Sequence, residues 1–355
     1  MTDAADRDIS EELVQAVQDA AGRQQPLYIN GGGSKRDWLG RQCDAPALEV
    51  GGHRGIVDYQ PQELVITVRA GTPVADVQAL LAQQGQMLAC EPPQLDGRAT
   101  VGGTLASNLS GPARPWGGSL RDAVLGIRLI NGRGELLRFG GTVMKNVAGY
   151  DVSRLQAGAL GTLGVLCELS LRVMPQPEHS LTLMYDMDEA AAIDTMNRRA
   201  AEPAPLCGAS WESGRLRLRL AGAASAVEHT AGLWGGERAG ADDYWRELRE
   251  YRRPFFAGDE PLWRLTLRGA AAPVGGGDTL LDWGGGQRWL HGTDDQSMFD
   301  AAATARAHAC RVRGGDRQAE VRPVPGAAQQ GIQRRLKRAF DPAGVLNPGR
   351  LYGWL

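Results

Sequence analysis

Apolar residues Leu13, Val14, Val17 and Ala21 share one face of a helix that Ser10 would cap and Gly22 would end. The run "PLYI" (26–29) then reads as a strand, followed by the glycine-rich "INGGGSKRDWLG" (29–40). Further strands are expected at 48–50, 55–59 and 63–71. A helix should open at Thr72-Pro73 and run to Gln84, with Gly85 as its stop. Regular periodicity lapses over 86–120, a Gly- and Pro-rich tract with room for one short helix. Long irregular tracts inside a compact domain usually carry function. Periodicity returns as a hairpin in "AVLGIRLINGRGELLRF", turning at Asn131-Gly132, then a helical "DVSRLQAGAL" and an alternating strand "GVLCELSLRVM".

The segment "PQP" (175–177) marks a natural boundary. Beyond it, strand and helix patterns alternate through "LTLMYDM", "DEAAAIDTMNRRAAE", "GASWES", "RLRLRLAG", "PLWRLTLRG" and "TLLDWGGGQRWLHG", and a helix is expected at 296–309. This is an α+β layout with helices against an antiparallel sheet. A last helix ends at Asp341-Pro342 and leads into an extended arm. The domains expected are therefore 1–175, 176–320 and a returning helix and arm at 321–355.

Composition narrows the function. With 43% hydrophobic and 23% charged residues over 355 positions, the chain is long enough for two globular domains. A net charge of -2 argues against a nucleic-acid binder. No apolar run spans a bilayer, and the acidic N-terminus does not read as a secretory signal, so a cytoplasmic protein is expected. Five scattered cysteines lack C-x-x-C spacing, which predicts buried thiols and no metal or iron–sulfur site in this chain.

Glycine is in excess, at 48 residues, and concentrates in three tracts: 29–40, 99–122 and 144–166. The first matches neither G-x-x-x-x-G-K-[ST] nor G-x-G-x-x-G. A cradle of successive main-chain N–H groups, opened by glycines, is the remaining way for such a turn to hold phosphate; a plain surface turn is the alternative. Three glycine-dense tracts suit a long, bent ligand such as a dinucleotide better than a mononucleotide.

The order of glycine loop, "TVGG…N…G", "GYD…GTLGVL" and terminal "DPAGVLNPGR" resembles the vanillyl-alcohol oxidase / p-cresol methylhydroxylase (PCMH) family of FAD proteins. Within it, "EPP", "GPARPWGGSLRD", "VMKNVAGYDVSRL", "DWGGGQRWL" and "DPAGVLNPGRLY" are similar to the FAD-binding subunits of bacterial glycolate oxidases. The resemblance implies a two-subdomain PCMH-type FAD-binding domain plus an α+β cap. It implies that Gly31, Gly32, Gly33 and Ser34 hold the FAD diphosphate, and that Thr100, Gly102 and Gly103 pass the flavin and ribityl chain. By the same carry-over Ser107, Asn108 and Gly111 follow the cofactor's middle, Gly161, Thr162 and Val165 meet adenine and diphosphate, and Asn347 returns on the arm. Where covalent members carry histidine this chain has Ser34, so non-covalent FAD is implied. The implied partners are a catalytic FAD subunit and an iron–sulfur subunit, with membrane association only through them.

No catalytic residue is assigned. The five histidines show no ligand spacing, and the His-rich cap motif of substrate-oxidising relatives is missing after His291-Gly292. Arg114, Arg121, Lys145 and Arg288 are candidate anion holders, while Arg334, Arg335, Lys337 and Arg338 read as a solvated basic face. His53 reads as an exposed or packed loop residue. Trp263, Trp283 and Trp289 are core residues by default, or line a pocket or subunit contact. Three functions stay open: an FAD-binding subunit of a glycolate-oxidising complex, a free-standing FAD oxidoreductase, or a structural partner that binds FAD weakly.

Overall fold

The computed structural model describes residues 6–142, 150–239, 242–274 and 277–355. In the N-terminal lobe, helix α1 (Ser10–Arg23) leads to β1 (Tyr28–Asn30), which pairs in parallel with β2 (Ala47–Glu49). Ser10 does not cap α1 from outside. It starts the helix, and the Asp8 carboxylate accepts from its N–H and hydroxyl. Five strands form one antiparallel sheet in the order β3 (Ile56–Gln60), β4 (Val65–Arg69), β8 (Val165–Arg172), β6 (Val124–Ile130) and β7 (Leu136–Gly140). Helix α2 (Val74–Ala82) is followed by the two-residue β5 (Gln86–Met87). Its partner is β9 (Met174–Pro175), at the end of the lobe.

The 86–120 tract holds two short helices rather than one, α3 (Val101–Ser107) and α4 (Arg114–Gly117), and a third, α5 (Leu120–Ala123), begins at its end. The expected helix in "DVSRLQAGAL" is a single turn, α6 (Val152–Leu155); Gly158, Leu160 and Gly161 all have positive φ, which ends any helix. Strand β8 is buried on both faces apart from its last residue, so its alternation does not mark a wet side. One side packs α2 and α3 through Val77, Leu81 and Leu105, and the other packs α1 through Val165 and Cys167.

His53 is fully buried beneath the start of α1, where its Nδ1 accepts the Ile9 N–H at 3.1 Å. Burial holds the imidazole below its ordinary 6.5, against the pull of Asp8 and Glu168. The folded protein therefore keeps it neutral while the unfolded chain takes up a proton near 6.5. Its contribution to stability is full above that pH and is lost as pH falls from there towards the folded pKa. We expect His53→Gln to flatten this part of the stability–pH curve, measured by urea unfolding at pH 7.5 and 5.5.

The second lobe is an eight-stranded antiparallel sheet built from β10 (His179–Asp186), β11 (Leu206–Glu212), β12 (Arg215–Gly222), β13 (Glu237–Ala239), β14 (Leu262–Thr266), β15 (Thr279–Asp282), β16 (Gln287–His291) and β17 (His308–Arg313). Their order across the sheet is β13-β10-β12-β11-β15-β16-β14-β17. Strand β12 alternates arginine and leucine. Leu216, Leu218 and Leu220 are buried against α7 (Glu189–Ala200) and α8 (Ala224–Trp234). On the opposite face, Arg217 lies over Tyr244 and Arg219 over Trp245 of α9 (Asp242–Arg249).

The helix expected at 296–309 is shorter, α10 (Asp295–Thr304), because Arg306 turns left-handed (φ 52°) and His308 begins the edge strand β17. Trp263 and Trp289 are core residues on opposite faces of this sheet. Helix α11 (Ala327–Phe340) leads back to the first lobe, where Leu27 N–H donates to Val345 O and Asn347 N–H to Leu27 O. The arm so makes a parallel bridge, Leu27 to Leu346, at the start of β1.

Candidate functional site

Strand β1 sits between β2 and the C-terminal arm, and both ladders stop at the first glycine of the turn. Val50 N–H donates to Asn30 O on one side; on the other, the Asn347 side chain takes the place of main chain and accepts Ile29 N–H at 2.7 Å. The same side chain donates to Leu160 O. Beyond this point the chain bends away from both neighbours. Among the described residues, the N–H groups of Gly31, Gly32, Gly33, Ser34 and Lys35 donate to no protein acceptor. Five successive amides with no protein acceptor beside a cleft form a row of donors open to a ligand. The turn needs glycine for two different reasons. Gly33 has φ 68°, while a Cβ on Gly32 would overlap the Arg98 carbonyl oxygen.

These amides border an open cleft of about 770 Å³. Its far wall is α3, whose N-cap Thr100 accepts Gly103 N–H at 3.2 Å. Gly102 lets α3 sit directly on Ala70 at the end of β4, and Gly103 faces the cleft. Ser107 borders the cleft one turn later, with its hydroxyl turned back to Gly103 O. The floor is formed by Leu160, Gly161, Gly164 and Leu166, and Asn347 closes one end.

The cleft thus gathers ten of the fourteen expected residues: Gly31, Gly32, Gly33, Ser34, Thr100, Gly102, Gly103, Ser107, Gly161 and Asn347. Four do not line it. Asn108 is the left-handed end of α3. Gly111 is wedged between Glu91 and Arg249, and its carbonyl accepts Trp283 Nε1–H at 2.9 Å. Thr162 is fully buried, with its hydroxyl on Ala159 O and its carbonyl on Lys337 Nζ. Val165 is spent as the first core residue of β8.

The other candidate groups are committed elsewhere. Arg288 is buried and donates to three main-chain carbonyls, of Gly285, Ala271 and Ala272. Arg114 stacks on Trp283, and Arg121 is an exposed neighbour of Asp122. Lys145 and the rest of 143–149 lie outside the described residues. His291 Nε2 bonds to Phe255 O and its ring packs on Phe255. No histidine, aspartate or glutamate borders the cleft among the described residues, and no cluster of three metal-ligating side chains occurs there. Among the described residues, no helix is long and apolar enough to cross a membrane.

Pattern reading missed Lys35 and Arg350. Arg350 is buried and its guanidinium donates to the carbonyls of Arg41, Lys35 and Trp38, which fastens the glycine turn to the arm. Its place directly after "NPG" was the available signal. The lobes meet beside the cleft through Glu91–Arg219 at 2.8 Å, the Glu250 carboxylate on the N–H groups of Gln94 and Leu95, and Tyr251 packed on Trp38. Behind this contact Asp282 is fully enclosed, and burial pushes its carboxyl up to about 7; its oxygens face Trp283 N–H and the Gln287 amide rather than the cleft.

The sequence profile of a family described as "FAD binding domain" matches residues 9–140. Glycolate oxidase subunit GlcE of Escherichia coli K12 is 44% identical over 98% of this chain and 99% of its own length. Glycolate oxidase subunit GlcD of Bacillus subtilis 168 is 32% identical over 42% of this chain and 32% of its own. Among solved structures, an alkyldihydroxyacetonephosphate synthase superposes with a TM-score of 0.67 at 14% identity, covering 95% of this chain and 75% of that one; this likeness concerns the fold.

Proposed function

The chain belongs to the family of glycolate oxidase subunit GlcE, and from that membership we propose that it holds FAD in the cleft beside Gly31–Lys35 within a multi-subunit oxidase of glycolate. In this reading it works with a catalytic flavin subunit and an iron–sulfur subunit, and any membrane contact comes through them. One observation carries the assignment: the row of unpaired amides at the open end of β1. Diphosphate oxygens on those amides would form charge-assisted hydrogen bonds, each worth about 1.5–3 kcal/mol net. Thr100, Gly102, Gly103 and Ser107 leave room for the chain that follows, and Gly161 and Asn347 close the cleft. Asn108, Gly111, Thr162 and Val165 shape these walls from behind.

Bound FAD would supply the two-electron acceptor for a hydroxy acid. Removing the substrate's hydroxyl proton also needs a base, and a cleft bordered by no histidine or carboxylate among the described residues supports placing that step on a partner chain. The iron–sulfur cluster belongs on another chain in the same reading, since the five cysteines are dispersed as free thiols. The purified chain should be yellow and should not bleach with glycolate until the other two subunits are added. Bleaching of the chain alone would mark it as a free-standing oxidoreductase, and a colourless chain that takes up no FAD would mark it as a structural partner.

With Ser34 where covalent attachment would need a histidine, acid precipitation should release all flavin into the supernatant. A coloured pellet would show a covalent bond.

A further inference from the structure

We propose that Lys35 is the counter-ion of the bound diphosphate, a cation held ready in the cleft for ligands that carry that group. The inference rests on the assignment of the cleft to FAD and concerns one side chain within it. Three of the 39 basic residues are lysine: Lys35, Lys145 and Lys337. In a chain so dominated by arginine, neither of the two lysines among the described residues is exposed: Lys337 is buried and Lys35 half-buried. Lys337 is satisfied there by Asp341 and two carbonyls. Lys35 is not. Its Nζ has one hydrogen-bond partner, the neutral hydroxyl of Ser34 at 3.3 Å, and no carboxylate pairs with it among the described residues.

Partly withdrawing an ammonium from water without an anion is unfavourable, so an ammonium with no carboxylate beside a row of unpaired amides points to an anionic ligand. The position is specific. Nζ lies 3.9 Å from where a Cβ on Gly103 would stand, so it faces across the cleft from the glycine turn towards α3. The other charged or titratable groups nearby are Arg36, which lies over Tyr28, Arg350, which is used on three carbonyls, and Glu250 from the second lobe. Among the described residues, Lys35 is the cation of the cleft wall whose head group is used on neither a ring, a carbonyl nor a carboxylate. Burial lowers its pKa to about 8, and Glu250 acts in the opposite direction. An ammonium is a compact point charge with three donors. It can follow two linked phosphates without the fixed fork of a guanidinium.

The test uses the full chain stripped of flavin, with FAD, ADP and adenosine as probes, followed by calorimetry and thermal shift. ADP carries the diphosphate without the flavin, and adenosine carries neither charge nor flavin. We expect Lys35→Met to weaken FAD and ADP by about tenfold or more while adenosine is unchanged, and Lys35→Arg to recover most of the loss. Wild-type affinity for FAD and ADP should fall as pH rises above about 8. That slope should be missing in Lys35→Met. Undiminished FAD and ADP binding by Lys35→Met overturns the role, as does an equal loss for adenosine, which would mark Lys35 as structural. Wild-type chain that binds neither FAD nor ADP overturns the cleft assignment itself, and this inference with it.

Discussion

Replacing Gly103 with valine should strip the chain of FAD while leaving it folded. Gly103 has ordinary helical geometry in α3. A Cβ built on it meets only Thr100 Oγ1, at 3.1 Å, before reaching the cleft and Lys35. Its added methyls would therefore fill ligand space, not protein space. The expected loss is about 3 kcal/mol or more, roughly a hundredfold or greater in affinity. By intrinsic propensity valine is no worse than glycine inside a helix, so α3 itself should not be weakened. The readouts are the flavin absorbance per chain and the melting temperature of the stripped protein. Gly32→Val should also lose FAD, but by another route. Its Cβ would overlap the Arg98 carbonyl, so the whole turn must move. Full flavin loading of Gly103→Val would show that the cleft beside α3 is not the cofactor's path.

Asp341→Ala should be the most destabilising single change predicted here. Asp341 is buried at the end of α11, where its carboxylate accepts from Lys337 Nζ at 2.7 Å and from the N–H groups of Val345 and Leu346. Lys337 Nζ in turn donates to Thr162 O and Leu346 O, which joins the arm to the loop before β8. Removing one partner of a buried pair strands the other, at a cost of about 3–5 kcal/mol. Burial already lowers the Lys337 pKa, and Asp341 is what opposes that shift. In Asp341→Ala the lysine should be driven towards its neutral form. Unfolding in urea should show a clear drop in midpoint, and limited proteolysis should cleave the freed arm near residues 341–355. Lys337→Met, which removes the stranded charge, should recover part of the loss when combined with Asp341→Ala. An unchanged midpoint in Asp341→Ala would contradict the arm's dependence on this pair.

The Lys337 result shows where pattern reading stops. In "QRRLKRAF" four basic residues look alike, and three of them are solvated: Arg334, Arg335 and Arg338 are exposed. Only packing of α11 against the loop before β8 turns Lys337 inward. Trp283 is similar. It could be core or contact from its sequence, and its indole donates across the lobes to Gly111. Asn108, Gly111, Thr162 and Val165 are expected from the resemblance yet stand behind the cleft wall, because a shared motif fixes a residue's place in the chain and not which neighbour covers it.

What the chain determined by local chemistry was substantial. Glycines at 31–33 prescribe a tight turn, alternating strands and amphipathic helices prescribe an α+β protein, and scattered cysteines leave no metal pattern. These features depend on φ preferences and on residue spacing, both local. The tertiary structure decided which sides met: that the arm runs beside β1 and ends its ladder at the first glycine, that Lys35 faces the cleft, and that His53 and Lys337 are enclosed. Those outcomes depend on contacts between residues far apart in sequence, as in the bond from Ile29 to Asn347, 318 positions away. Local preference cannot encode such a contact, because its energy exists only once both segments are already in place.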